Sequence, residues 1–421
     1  MTLRPSAFLF GSNQVEALAI YLAALRTGHA VFLYDAAANL PFAEQLIELY
    51  RPDWIAGPTV YLDQIKGAMD EVCHLTEYSL SGRTIVREHP VYHDLAVLLT
   101  TSGTTGSPKL VRLSYDNLQT NASSISQYLN LNDSERAITT LPFFYSYGLS
   151  VVNSHLNVRA SLILNNHSVV TRDFWELFKQ QEATSFAGVP YTYQMLKRMK
   201  FAQMDLPSMR YMTQAGGRLD PSLVADFANA AAGKGWRFYV MYGQTEATAR
   251  ISYIPSELIQ SKMGSIGKAI PDGELDLDPE TQELIYKGPN VMLGYAKSEE
   301  DLFQGDLLNG VLRTGDIASK DVDAFFYVKG RLKRFAKIFG LRVNLDELEQ
   351  HLEQEIGSEL SCIEEGERLV LYYTTAESAE AIRERMSSVF HIHHSGYRLE
   401  LIDELPRTAS GKKGLSPFAG A

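Results

Sequence analysis

Leu95–Lys109 reads LAVLLTTSGTTGSPK, an apolar run that opens into small hydroxylated residues closed by Pro-Lys. Leu95–Thr100 lacks the polar alternation of a half-wet strand, which predicts a strand buried on both faces. The segment after it carries hydroxyls at Thr101, Ser102, Thr104 and Thr105, glycines at Gly103 and Gly106, and an ammonium at Lys109. Glycines permit tight turns whose N–H groups converge on an anion, hydroxyls donate further bonds, and the lysine supplies charge. The expectation is a phosphate-gripping loop; the bland alternative is a flexible polar loop. The Walker pattern GxxxxGK[ST] cannot be laid on these residues.

Outward from that stretch the chain alternates between two periods. Gln14–Thr27 places Val15, Leu18, Ala19, Leu22 and Leu25 at helical spacing, Gly28 stops the helix, and Val31–Tyr34 reads as a buried strand. Phe42–Tyr50 and Trp54–Ala56 repeat the pair, and a helix is expected to start near Ser114 or Tyr115. The pattern continues through Phe174–Gln181, Ser185–Val189, Tyr191–Met199, Pro221–Ala232 and Arg237–Tyr242. Such alternation predicts an α/β fold, a parallel sheet with helices on both faces. From about Gly264 short apolar segments split by Gly, Pro and Asp (Gly273–Leu277, Leu284–Gly288) predict a small β-rich subdomain ending near Val328. Basic Lys329–Lys337 reads as a linker or hinge, and an α+β tail follows, with helix Asp346–Ile356, strand Leu369–Thr374 and helix Ser378–Phe390. The expected division is a large domain over 1–330 and a small mobile one over 331–421.

Composition narrows the class. At 421 residues the chain is long enough for two or three folding units, and 45% hydrophobic content supports a sizeable core. A net charge of −11 without a Lys/Arg-rich run gives nucleic-acid binding no electrostatic support. Only two cysteines, Cys73 and Cys362, without CxxC spacing, fit a reducing compartment. The best membrane-span candidate, Val15 to Tyr34, carries Glu16, Arg26 and His29 and does not qualify. A cytoplasmic protein without membrane or nucleic-acid partners is the expectation. His391, His393 and His394 lack neighbouring Cys or carboxylate ligands and read as a solvated helix end.

Four further segments carry chemistry. Met241–Ala247 (MYGQTEA) ends a strand, where Tyr242 can offer a flat ring to a base, Thr245 a hydroxyl to a phosphate and Glu246 a carboxylate to Mg²⁺. In Arg313–Asp316 (RTGD), Asp316 can accept from both hydroxyls of a ribose or close an Asx-type turn. Gly330–Arg331 opens the basic stretch, which is otherwise a solvated hinge. Pro406–Lys412 (PRTASGK) sets one lysine in a Gly/Ser loop.

Taken in order, these segments resemble the adenylate-forming superfamily of acyl- and aryl-CoA ligases, luciferases and carrier-protein-loading adenylation domains. The resemblance implies MgATP-dependent activation of a small carboxylic acid to an acyl-adenylate, with ATP and Mg²⁺ as cofactors and release of pyrophosphate. Transfer to a phosphopantetheine thiol would follow, that of an acyl or aryl carrier protein favoured over CoA because short stand-alone members resemble pathway-specific loading enzymes. It implies that Thr101–Lys109 holds the β- and γ-phosphates, that Tyr242 beside Gly243 stacks on adenine, that Thr245 contacts phosphate and that Glu246 binds the metal. Gln214–Arg218 (QAGGR), with Gly216 and Gly217, borders adenine; Asp316 takes the ribose hydroxyls with Arg331 beside it. Lys333 acts as the hinge, and Lys412 bridges the substrate carboxylate and the α-phosphate. Lys287–Tyr295 (KGPNVMLGY) is similar to one more family stretch.

The chain departs from the family in three places. Family members carry several dozen residues before the segment that begins here at Phe8, so a short, N-terminally reduced member or a truncated one is expected. Leu110 stands where the family has Gly. The tail beyond Gly330 is short, which is expected to reduce the thiol-transfer face. Leu141–Ser150 (LPFFYSYGLS) resembles the family's LPxxHxxG stretch with Tyr145 in place of His. No acid lies there to pair with an amino-acid ammonium, and a buried ammonium without a carboxylate is costly. The pattern is closer to aryl-acid activators, with Ser146 and Ser150 either serving ring hydroxyls or being ordinary loop serines. Phe186, Gly188 and Gln214 complete the expected pocket. An amino-acid-activating enzyme and a catalytically impaired nucleotide-binding homologue are the alternatives.

Overall fold

The computed structural model describes residues 4–35, 40–65, 70–82, 90–100, 109–332, 334–338, 341–366, 368–407 and 413. Among these, residues up to Glu274 together with Tyr286–Leu312 pack as one compact unit; Leu275–Ile285 and those from Arg313 onward pack as another.

The first unit is built on two sheets. In the eight-stranded sheet the spatial order is Gly294–Ala296, Leu110–Ser114, Leu95–Thr100, Ala30–Asp35, Ser6–Gly11, Trp54–Pro58, Tyr78–Gly82, Asp70–Leu75. Its central strands are parallel, and its outer pairs are antiparallel. The expected all-parallel sheet is therefore mixed, because hairpins add strands at both edges.

Alternation along each central strand feeds two cores. Ala7, Leu9, Val31, Leu33, Val97 and Leu99 face one side with helix Val15–Arg26. Phe8, Phe10, Phe32, Leu95 and Leu98 face the other with helix Leu40–Tyr50. Strand Leu110–Ser114 was not foreseen in the sequence, where the Gly/Ser/Thr segment reads as leading to a helix. It pairs antiparallel with Leu95–Thr100, and Leu110, at the family's Gly position, is a fully buried core residue. Helix Tyr115–Leu129 then starts from a capping box, Ser114 Oγ accepting from Asn117 N and Asn117 Oδ1 from Ser114 N, each at 2.9 Å.

The seven-stranded sheet runs Lys268–Ala269, Ser252–Ile254, Arg237–Tyr242, Tyr211–Gln214, Ser185–Gly188, Arg136–Ile138, Ser161–Ile163. Its last five strands are parallel, and Ser252–Ile254 runs antiparallel to both of its neighbours. The carboxyl ends of parallel strands are where α/β sheets present ligand sites, and MYGQTEA lies at one of them.

The second unit carries most of a four-stranded sheet, Glu274–Leu277, Glu283–Lys287, Val311–Lys320, Phe326–Arg331, besides the hairpin Phe335–Ile338/Leu341–Asn344 and a three-stranded sheet of Leu360–Glu365, Arg368–Tyr373 and Tyr397–Leu401. Helix Leu345–Ile356 is capped by Asn344 Oδ1, stops at left-handed Gly357 (φ +65°), and buries Leu345, Leu348 and Leu352. At the start of the basic stretch, Lys329–Arg331 finish a strand. Arg334 is mostly buried, bound by Glu349 and Asp346 and donating to the Cys362 carbonyl at 3.0 Å. Among the described residues no helix is long and apolar enough to cross a membrane.

Candidate active site

Strand Arg237–Tyr242 delivers Tyr242, and the chain then turns sharply through Gly243 into the short helix Thr245–Ala247. A Cβ on Gly243 would lie 1.7 Å from the Ala249 carbonyl oxygen, so only glycine lets the loop fold back on the strand end. The loop holds strained backbone, φ +58° at Thr248 and +122° at Ala249. Asn290 secures it: its Nδ2 donates to the carbonyls of Ala247 and Arg250 at 2.7 and 2.9 Å, and its own carbonyl accepts from Thr248 Oγ1 at 2.7 Å.

This loop sets Glu246 beside Tyr295, whose hydroxyl donates to Glu246 Oε1 at 2.8 Å. Burial, then the Glu246 charge, pushes the Tyr295 phenol far above its ordinary range. The Lys109 ammonium sits 3.2 Å from the centre of the same ring. Thr245 Oγ1 lies 3.1 Å from Ser146 Oγ. Lys109, Ser146, Thr245, Glu246 and Tyr295 thus form one chain of contacts within the first unit. A single half-buried carboxylate beside a hydroxyl suits Mg²⁺, which takes one or two protein carboxylates and draws its other ligands from phosphates and water.

Of the residues expected to line the acid pocket, Gly188 and Gln214 end two neighbouring parallel strands. Gln214 Nε2 donates to Gly217 O at 2.9 Å and closes the turn, and Gly188 O accepts from Ala215 N at 3.2 Å. Gly216, at φ +84°, leaves room for its neighbours: a Cβ there would come within 2.9 Å of Tyr145 Oη. Tyr145 precedes helix Ser146–Asn157, and burial raises its phenol to about 12. Tyr147 Oη lies 2.9 Å from Thr213 Oγ1. Ser150 donates to the Tyr147 carbonyl of its own helix at 2.7 Å. Phe186 packs among Trp175, Tyr193 and Phe201 in an aromatic core.

Arg250 escaped the sequence reading. It is 2% exposed, its guanidinium lies 3.9 Å from the centre of the Tyr147 ring, and its Nε has no hydrogen-bond partner among the described residues. Tyr295 and Asn290 were missed as individuals, although the stretch that holds them stood out. No local signal distinguishes Arg250, which follows MYGQTEA as an ordinary polar residue.

In the second unit, Asp316 and Arg331 pair across antiparallel strands, Arg331 Nε lying 3.3 Å from Asp316 Oδ1. Arg313, beside Asp316 in RTGD, binds Glu283 and Asp278 at 2.6 and 2.8 Å and holds its loop. Thr101, Ser102, Gly103, Thr104, Thr105, Gly106, Lys333 and Lys412 lie outside the described residues.

Residues 6–296 match the family of AMP-binding enzymes. The chain belongs to that family, and so to the adenylate-forming superfamily. It is 28% identical over 342 residues to a feruloyl-CoA synthase of an Amycolatopsis species, covering 76% of this chain and 68% of that one. It is also 28% identical over 366 residues to an oxalate–CoA ligase of Arabidopsis thaliana, covering 79% and 68%. Among solved structures it resembles the o-succinylbenzoate coenzyme A synthetase of Bacillus subtilis in complex with AMP, at a TM-score of 0.78 and 22% identity, over 100% of this chain and 89% of that one. This last likeness shows the shared fold.

Proposed function

We propose that the protein is an AMP-forming acid–thiol ligase: it joins a carboxylic acid to AMP at the expense of ATP, releases pyrophosphate, and passes the acyl group to a thiol. The observation that carries this reading is the meeting of Lys109, which closes TSGTTGSPK, with Glu246 of MYGQTEA at Tyr295, the lysine on its ring face and the carboxylate at its hydroxyl. Two segments far apart in sequence, each suited to phosphate or to its metal, converge on one place.

In this reading Lys109 and the loop before it hold the terminal phosphates, Thr245 contacts phosphate, and Tyr242 with Gly216 and Gly217 frames the adenine. Asp316 takes the ribose hydroxyls with Arg331 at its side. Glu246 holds Mg²⁺, which supplies charge neutralisation on the phosphates. Lys412 draws the substrate carboxylate to the α-phosphorus and offsets the charge that builds up there. A large domain over 1–330 and a lid over 331–421, hinged at Lys333, complete the scheme, in a cytoplasmic protein.

The thiol is that of CoA, on the strength of the relatives' names; a carrier protein's phosphopantetheine is the other acceptor to test. Relatives named for feruloyl and oxalate stand at the same identity, so identity does not choose the acid. The Tyr145, Ser146 and Tyr147 surroundings favour a small aryl acid. Arg250, a buried cation on the Tyr147 face, opposes an ammonium and so an amino acid. ATP–pyrophosphate exchange across aryl, fatty, dicarboxylic and amino acids tests the reading. Exchange with at least one non-amino acid is expected; ATP binding without exchange for any acid would favour an impaired homologue.

A further inference from the structure

Lys109 and Glu246 are held by one side chain, Tyr295, through its ring face and its hydroxyl respectively. The geometry has a definite origin. Strand Gly294–Ala296 runs antiparallel to Leu110–Ser114, with Tyr295 opposite Val111, so the ring stands beside the backbone that leaves Lys109. The Met292 N–H donates to the Glu246 carbonyl at 2.9 Å, so the same segment also fixes the backbone of the carboxylate. Asn290, on that segment, secures the rest of the loop. The ring is half-buried, where both a cation–π contact and a hydrogen bond to a carboxylate are stronger than in open water.

We propose that Tyr295 is a positioning residue for the metal–nucleotide complex: its hydroxyl aims the Glu246 carboxylate at the metal, and its ring holds Lys109 ready for the terminal phosphates. This rests on the MgATP reading above. The two contacts use different parts of one side chain, so they can be removed separately. Without the hydroxyl, Glu246 loses the bond that selects its rotamer, and one of its oxygens is no longer held away from competing orientations. Without the ring, Lys109 loses its contact with the aromatic face as well.

The test is calorimetric binding of ATP to the full chain at a series of Mg²⁺ concentrations, for the wild type, Tyr295→Phe and Tyr295→Leu. Tyr295→Phe keeps the ring under Lys109. Its ATP affinity at saturating Mg²⁺ is expected to stay within about twofold of wild type, while the Mg²⁺ concentration for half-maximal effect rises roughly five- to tenfold. Tyr295→Leu is expected to show the same Mg²⁺ shift and, in addition, a roughly threefold or greater loss of ATP affinity at saturating Mg²⁺. A Tyr295→Phe protein with wild-type Mg²⁺ dependence, or a tighter one, overturns the proposal while leaving the MgATP reading intact. So does an equal loss in both variants that Mg²⁺ does not modulate. Absence of MgATP binding in the wild type overturns the MgATP reading and this one with it. Should Tyr295→Leu fail to fold, the near-isosteric Tyr295→Phe decides alone.

Discussion

Asp316 and Arg331 face each other across two antiparallel strands, the carboxylate buried and the guanidinium two-thirds exposed, 3.3 Å apart. So exposed a partner makes the ion pair a weak contributor to stability. In the proposed reading the buried carboxylate accepts from the ribose hydroxyls. Asp316→Ala should raise the ATP Kd by roughly tenfold or more, the size of a lost charge-assisted hydrogen-bond pair. The unfolding temperature should shift by no more than a few degrees. Calorimetry and thermal unfolding on one preparation check both; unchanged ATP affinity would remove Asp316 from the site.

Lys412→Ala should suppress pyrophosphate exchange by about 10²-fold or more and leave ATP affinity nearly unchanged, because in the proposed reading the lysine offsets charge that develops only in the transition state. Exchange at the wild-type rate would reject the assignment.

The two serines of the expected pocket should behave differently. Ser150 is engaged by the Tyr147 carbonyl of its own helix, whereas Ser146 meets Thr245 across the site. Ser150→Ala is expected to keep the acid preference of the wild type. Ser146→Ala is expected to change kcat/KM by about three- to tenfold, through the lost hydrogen bond to Thr245, the phosphate contact of the proposed reading. Exchange kinetics over an acid panel separate the two.

Gly243→Ala should be severely destabilising, by at least about 3 kcal/mol, because the new Cβ meets backbone rather than a side chain that can swing aside. Urea unfolding measures this. A loss below about 1 kcal/mol would mean that the loop shifts easily.

His155 is buried, bonding the Val151 carbonyl and Tyr211 Oη at 2.8 Å each, and burial depresses its pKa below 6.5. The unfolded chain takes up the proton first as pH falls through 6.5, so stability should decline from there toward the depressed folded value and be constant above. Urea midpoints between pH 8 and 5 should show this fall, and His155→Gln should flatten it.

Much of the fold was legible because periodicity reports burial. Helix Val15–Arg26, strand Leu95–Thr100 and helix Leu345–Ile356 lie within a residue or two of where their apolar spacing puts them. Strand Leu110–Ser114 escaped because it follows a glycine-rich segment, and its Arg112 breaks the apolar run. That arginine is nonetheless fully buried, spent on the carbonyls of Leu293, Gln304 and Gly305. Arg334 misled in the same way: a basic run reads as solvated until the acids Asp346 and Glu349 are seen to close over it.

By itself the sequence determined the alternating α/β architecture and the order of the chemical segments, since both depend on residue type and local spacing. Only the tertiary structure decided which of those segments meet. Lys109, Glu246 and Tyr295 sit on separate stretches brought together by strand pairing and by the Asn290-secured loop. Arg250 takes its place on Tyr147 through a strained backbone that no residue type announces. Contacts between distant segments follow from packing the whole chain at once, and local spacing carries no record of them.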